Sequence, residues 1–413
     1  MAVFRAFKAL RPAREKAAAV AALPYDVVSR EEAAVIGKEN PDSFLHVDRA
    51  EMDLPADTGL YDPEVYKKAK ENLLQMEEKG ILSQDHKPCY YIYELVRKGK
   101  VQTGIAGCAS IDDYLNNVVK KHELTRSDKE LDRINHVDVC DANTGPIYLA
   151  CRYTDRLSGL LAQWKKDHLA EYDFTEEDEI THRVWVIDED EAIALIQEEM
   201  EKIPALYIAD GHHRSASAFK VGMKRREEHP DFTGDEEFNF FMAAIFPDSD
   251  LHIFDYNRVV KDLNGLDSES FLKKIEEAGF EVEEKGVEIY APEAKHFFGM
   301  FIDGKWYRLK ATDRIIPDHV IDSLDVAVLQ NNLLGPVLGI DDPRTSNRID
   351  FVGGIRGLAE LERRVNSDMK VAFAVYPVSI SDLLAVSDAD MIMPPKSTWF
   401  EPKLGSGLLI HML

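Results

Sequence analysis

Cysteine, positive charge and long apolar runs are what this chain has least of. Four cysteines, at positions 89, 108, 140 and 151, stand in 413 residues. No Cys-x-x-Cys pair or Cys–His spacing marks a zinc site. Sparse, scattered cysteines fit reduced thiols, and with them a cytoplasmic protein, better than a disulfide scaffold. Lys and Arg number 50 against 75 Asp and Glu, a formal charge of −25. A surface of that sign repels nucleic acid and anionic lipid, so neither is an expected partner. No stretch approaches the ~18 apolar residues of a membrane helix. Basic residues from Arg5 to Lys16 precede an alanine-rich run, 17–23, in faint imitation of an export signal. That run is short and meets Pro24-Tyr25-Asp26 at once, so export is not expected. There is no GxxxxGK phosphate loop, internal repeat, low-complexity tract or disordered linker.

What is present suits a globular chain: 45% hydrophobic and 30% charged residues, with a length that suggests about two to three domains. Strand and helix patterns alternate throughout, so the class is α/β, with α+β as the alternative. Asp62-Pro63 predicts a helix start, with Val65, Ala69, Leu73 and Met76 as its apolar stripe and Gly80 as its stop. The alternation around Lys98-Gly99 predicts a hairpin over 89–109, its aromatics serving as packing. Residues 44–47 and 145–150 read as strands, 156–171 and 189–201 as helices, and 183–187 as a strand. After Gly234 the character changes. Residues 238–246, 253–260 and 297–302 read as strands of a second unit, with Asp303-Gly304 as a hairpin turn and 318–334 as a helix. The expected division is therefore 1–233 and 234–413.

The chemistry concentrates at residues 209–218, Ala-Asp-Gly-His-His-Arg-Ser-Ala-Ser-Ala. A short apolar run, 204–208, predicts a buried strand before it, and a helix follows from Ser215. Asp210 to Arg214 therefore sit on a strand-to-helix turn, with Gly211 allowing a tight backbone. Free N–H groups and the positive end of the helix dipole favour an anion there. Arg214 can grip two oxygens of a phosphate. His212 and His213 are adjacent and so point apart, which makes a metal held by both awkward. A second cluster, Lys120-Lys121-His122-Glu123 with Arg126, places a carboxylate where it can act as general base or magnesium ligand, provided it faces the Asp210 turn. A third, Lys396-Ser397-Thr398 in a proline-bracketed loop, offers a point charge and two hydroxyls to a polyphosphate.

Four blocks together carry a resemblance: Pro24 to Ser29, Lys121-His122-Glu123-Leu124-Thr125, Asp210-Gly211-His212-His213-Arg214, and residues 393–404. They are similar, over essentially the whole chain, to the uncharacterised bacterial domain-of-unknown-function 1015 family. More distantly, the order His122-Glu123, a later strand at Gly145-Pro146-Ile147, then the double-histidine turn resembles free L-serine kinases of the ParB/sulfiredoxin superfamily. That resemblance implies a ParB/sulfiredoxin-like α/β core with an insertion near 155–200, and a second α+β unit. It implies Glu123 as base for a substrate hydroxyl, with His122 and Asp210 beside it in catalysis. Gly211, His212, His213 and Arg214 would hold the phosphates of ATP or ADP; the help expected from Lys396, Ser397 and Thr398 is read from those residues alone, since the C-terminal half that carries them has no counterpart in the serine kinases. Glu123 and Asp210 would hold Mg2+. Free L-serine, converted to O-phosphoserine, is the acceptor it suggests, with Arg126, Arg133 or Arg344 clamping the carboxylate. In sulfiredoxin the turn carries a catalytic cysteine where His212 stands here, so sulfinic-acid chemistry is not expected. The Glu123-to-Asp210 separation is longer than in the small kinases. A ParB-like nucleotide switch without transfer, and a phosphatase or nuclease, are the competing readings; a homodimer stays open.

Overall fold

The computed structural model describes residues 1–177 and 179–413. They form two units: Met1–Leu251 with Pro402–Leu413, and His252–Glu401. The first is built on a mixed sheet. Its strands run in the order Val119–Lys120, Leu206–Asp210, Ile147–Cys151, Phe240–Pro247, Lys100–Ser110, Tyr90–Arg97, Thr181–Ile187 and Tyr172–Thr175, with Phe4–Arg5 paired to Lys100–Ser110. Two pairings are parallel, Leu206–Asp210 with Val119–Lys120 and Phe240–Pro247 with Ile147–Cys151; the others are antiparallel. Central strands of this kind are covered on both faces, which is why they read as continuous apolar runs. Ile92, Ile105, Leu149, Ile208 and Ile245 are all solvent-free in one core. The predicted hairpin forms between Tyr90–Arg97 and Lys100–Ser110, its Lys98 and Gly99 both at positive φ as a two-residue turn requires.

Two expectations about this unit are corrected. The strand expected at 238–246 is Phe240–Pro247, and it belongs to the first sheet, between Ile147–Cys151 and Lys100–Ser110. The division therefore falls after Leu251, and the last twelve residues rejoin the first unit. There Ile410 exchanges backbone hydrogen bonds with Leu10, Ser406 with Ala22, and His411 pairs with Asn143. The strand expected at 44–47 is the short helix Leu45–Asp48. Phe44, Leu45 and Val47 are all buried in a second core with Val65, Ala69 and Leu73 of the helix Pro63–Glu78. Burial on all sides removes the periodicity that separates helix from strand in so short a run.

The second unit is a six-stranded antiparallel sheet, in the order Phe280–Gly286, Lys305–Ala311, Phe297–Ile302, Val371–Val375, Tyr256–Val260, Ile349–Gly353. The helix Ser268–Ala278 contributes Phe271 and Ile275 to a core with Phe298, Met300 and Phe373. Of the helix expected over 318–334, only Asp325–Leu329 is α-helical; it widens into a π-turn over Gln330–Leu334. No helix of the described residues is long and apolar enough to cross a membrane, and all four cysteines are free and buried.

The helix His212–Glu228 is held from beneath at Gly222, where an added Cβ would lie 2.5 Å from the Phe238 carbonyl and 2.7 Å from Ile111. Alanine is the better helix former by ~1 kcal/mol, yet overpacking of this kind costs about 1–3 kcal/mol. Gly222→Ala is therefore expected to lower the urea midpoint of unfolding. A midpoint at or above that of the parent would show that this helix is free to shift.

Candidate active site

The strand Leu206–Asp210 ends at the point where the helix His212–Glu228 begins. Gly211 makes the corner at φ 95°, a backbone that side chains with a Cβ rarely adopt. It also lies under the Arg214 side chain, whose Nε would sit 3.1 Å from a Cβ at this position. No side chain caps the helix. The N–H groups of His212, His213 and Arg214 belong to the first turn, where the helix itself offers no acceptor, and a helix start without a side-chain cap suits an anion.

The loop after Val119–Lys120 meets this turn, because that strand runs parallel beside Leu206–Asp210. The His122 N–H donates to His212 Nε2 at 3.4 Å, and the Arg126 N–H donates to His213 Nε2 at 3.0 Å. A ring nitrogen that accepts carries no proton, so each neutral imidazole keeps its proton on Nδ1. In His212 that Nδ1 faces Glu123 Oε2 at 3.8 Å. The two histidines of the turn diverge as expected: His213 serves the loop backbone, and His212 packs edge-on against His122 with ring centroids 4.5 Å apart. The Glu123 side chain, 44% exposed, is the part of this group open to solvent.

Burial dominates the electrostatics. It pushes His122 down to about 4, against a smaller upward pull from Asp210. It pushes His212 well below the usual imidazole range, and the neighbouring His122 adds to this. Both rings are neutral near pH 7. Neither ring nitrogen of His122 makes a hydrogen bond among the described residues. Asp210 behaves oppositely. Burial alone would raise its pKa, but Lys403 and then Arg214 outweigh that, and the carboxyl falls to about 2. Lys403 Nζ lies 3.5 Å and an Arg214 terminal nitrogen 3.4 Å from Asp210 Oδ2. The other Arg214 terminal nitrogen donates to the Pro146 carbonyl at 2.6 Å. Arg214 is thus folded back to brace the turn against the strand Ile147–Cys151. Lys403 stands in the same block, 393–404, as Lys396, and no local sequence signal distinguishes it.

The expected ligands divide on a simple chemical test. Nitrogen and oxygen donors of His122, Glu123 and His212 lie within 4.8 Å of one another. Mg2+ seeks oxygen and keeps several waters, using one or two carboxylates and substrate phosphates. Glu123 fits an ion carried on a nucleotide in that way. Asp210 answers to Lys403 and Arg214.

The candidate clamp arginines are dispersed. Arg126 is exposed and chelated by Asp128. Arg133 is buried, paired with Asp132 at 2.9 Å and stacked 3.9 Å over the Tyr25 ring. With Tyr25, Asp48, Thr144, Arg214 and Ser406 it lines a cavity of about 20 Å³. Arg344 belongs to the second unit, held by Asp342. Lys396, Ser397 and Thr398 are in that unit too. Lys396 Nζ lies 5.5 Å from the Tyr256 ring centroid, and Ser397 Oγ donates to the Pro394 carbonyl at 2.6 Å.

A family model described as "Protein of unknown function (DUF1015)" matches residues 4–327. No curated protein matches the chain. Among solved structures it is similar to a conserved hypothetical protein from Pyrococcus furiosus (15% identity, TM-score 0.36, covering 73% of this chain and 93% of that one). It is also similar to a free serine kinase in complex with AMP (13%, 0.35, 77% and 92%) and to C-terminally truncated SbnI from Staphylococcus aureus (10%, 0.39, 74% and 87%).

A buried neutral His122 leaves a mark on stability. An unfolded histidine takes up its proton near pH 6.5, whereas the folded one does so only near pH 4. Between those values the unfolded state binds more protons, so this contribution to stability is present above about pH 6.5 and is lost as the pH falls towards 4. Urea unfolding at a series of pH values is expected to show a shallower decline for His122→Leu than for the parent. Parallel curves would mean that His122 takes up its proton without resistance in the folded protein.

Proposed function

The chain belongs to the DUF1015 family, and we propose that it is a nucleotide-dependent phosphotransferase acting on the hydroxyl of a small metabolite, with free L-serine as the first acceptor to try. One observation carries the reading: a half-exposed carboxylate, Glu123, and an uncapped helix start at the double-histidine turn lie together, joined through His212. Phosphoryl transfer asks little covalent chemistry of a protein. It needs the reactants held in line and the phosphate charge met by fixed donors. The N–H groups of His212, His213 and Arg214 supply such donors at the phosphates of ATP or ADP. Glu123, with the Nδ1–H of His212 directed at it, takes the proton of the acceptor hydroxyl as that oxygen attacks phosphorus and the bond to the departing nucleotide oxygen breaks. Mg2+ bound to the nucleotide would draw on Glu123 among these residues and neutralise phosphate charge; a carboxylate has two oxygens, so both roles fit one residue. Asp210 fixes Lys403 and Arg214 beside the turn. Arg133 shares a cavity lining with Arg214, but that cavity has room for about one water molecule and Asp132 already pairs with Arg133, so none of the three candidate arginines is assigned to the acceptor's carboxylate.

Incubation with ATP or ADP, Mg2+ and L-serine, followed by phosphorus NMR, tests the proposal. Glu123→Gln is expected to slow transfer by about 10²–10⁴-fold, the usual worth of a general base, while nucleotide still binds. Transfer at the parental rate by this variant removes the mechanism, and nucleotide binding without phosphorylation of any hydroxylated metabolite favours a switch. Lys403→Met is expected to weaken nucleotide binding by about tenfold, through the loss of one charge beside the turn; calorimetry showing an unchanged Kd would confine Lys403 to a structural role.

A further inference from the structure

The second unit contains a charge that its own residues leave uncompensated. Arg133 and Arg258 are the two arginines that the described residues bury almost completely, at 7% and 3% exposure. Burying a guanidinium is costly unless a carboxylate faces it. Arg133 has Asp132. Arg258, on the strand Tyr256–Val260, makes no ion pair among the described residues. Its terminal nitrogens donate to two backbone carbonyls, those of Tyr256 and Lys396, the latter at 3.0 Å. Burial draws its pKa down to about 10, which leaves it charged at neutral pH.

This side chain lines a cavity of about 290 Å³ whose walls belong wholly to the second unit. Val326, Phe351, Pro394 and Pro395 give it an apolar lining. Phe351 also lies under Arg258, with the guanidinium carbon 5.4 Å from the ring centroid. Arg344 lines the same cavity and keeps its guanidinium against Asp342. Asp341, exposed, contributes the opposing charge and forms no ion pair with Arg258. Two local departures from regular backbone adjoin the cavity. Gln330 opens the π-turn Gln330–Leu334, and Lys396, whose carbonyl receives Arg258, holds a left-handed φ of 58°. Such departures persist where the surrounding structure enforces them, and they gather at ligand sites.

We infer that the second unit binds a small anion, a carboxylate or a phosphate carried on a compact body, with its charge against Arg258 and its body against Phe351 and the two prolines. A planar guanidinium with donors to spare suits both oxyanions. The site stands on residues of the second unit alone and does not depend on the phosphotransfer reading.

Calorimetry on the full chain tests it, with inorganic phosphate and succinate as separate probes at matched ionic strength and sodium chloride as the control. Saturable binding of either probe is expected, and the one that binds tells phosphate from carboxylate. Arg258→Gln should weaken that binding by at least about tenfold, as expected for the loss of a charge-assisted contact. Arg344→Ala should weaken it by a smaller factor, and Asp341→Asn should tighten it. The absence of saturable binding by both probes overturns the inference, and so does an Arg258→Gln protein that is folded by circular dichroism and binds like the parent. If Arg258→Gln does not fold, the two exposed substitutions decide: affinity unmoved by both overturns it. Binding is expected to persist in Glu123→Gln, so this result and the transfer assay fail separately.

Discussion

The Asp210 carboxylate, held between Lys403 and Arg214, is the contact on which the candidate site depends. A partly buried carboxylate at the end of a strand is pushed towards its protonated form, because desolvation favours the neutral acid. Here two cations reverse that preference. They arrive from different directions. Arg214 reaches back from the first turn of the following helix and also grips the Pro146 carbonyl, so it ties the turn to the neighbouring strand. Lys403 comes from the returning end of the chain, which threads along Ala22 and Leu10 to reach the first unit. The uncapped helix start is therefore not a local feature of five residues. Its position is set jointly by a central sheet and by a tail almost two hundred residues further on.

Around that fixed point the histidines work by being neutral. A protonated His212 would sit against His122 in a buried space, and burial opposes that charge in both rings. Neutrality then decides the tautomer. Because His212 Nε2 accepts the His122 N–H, its proton is on Nδ1, directed at Glu123. His213 makes the equivalent link to the Arg126 N–H. Two successive residues of one turn thus accept from two backbone amides of one loop, which fixes where Glu123 stands even though its side chain is open to water.

The turn itself was legible because its signals are local: an apolar strand, a glycine that permits positive φ, and a run of polar residues at a helix start. The hairpin at Lys98-Gly99 and the helix capped by Asp62-Pro63 were legible for the same reason, since each is specified within a few residues. What the sequence hid depends on long-range pairing. Phe240–Pro247 carries no mark that assigns it to one sheet rather than another, and only its neighbours on both sides do so. Lys403 reads as one more lysine until the tail is seen to turn back. Leu45 and Val47 form a helix because a core surrounds them, and a residue buried from all sides leaves no periodic trace. Among the expected site residues, those within the two facing loops were brought together. Arg126, Arg133 and Arg344 could not be ranked from sequence, because the acid each one meets, Asp128, Asp132 or Asp342, becomes its partner only through backbone geometry.

The electrostatics of the first unit also resolve a tension in the composition. A chain of net charge −25 is a poor long-range attractor of phosphates. Several cations around the turn are already paired: Arg214 and Lys403 with Asp210, Arg126 with Asp128, and Lys220 with Glu130. The turn adds to these the backbone N–H groups at the start of a seventeen-residue helix that has no side-chain cap. Such donors carry partial charge without a net charge. They act within one turn's reach, where the dipole field is concentrated, and their direction is fixed by the helix, so they need no reordering when an anion arrives. An acidic protein that must still hold phosphate has reason to use donors of this kind: they select at contact distance, which the surrounding acids do not cancel, and they leave the surface charge unchanged.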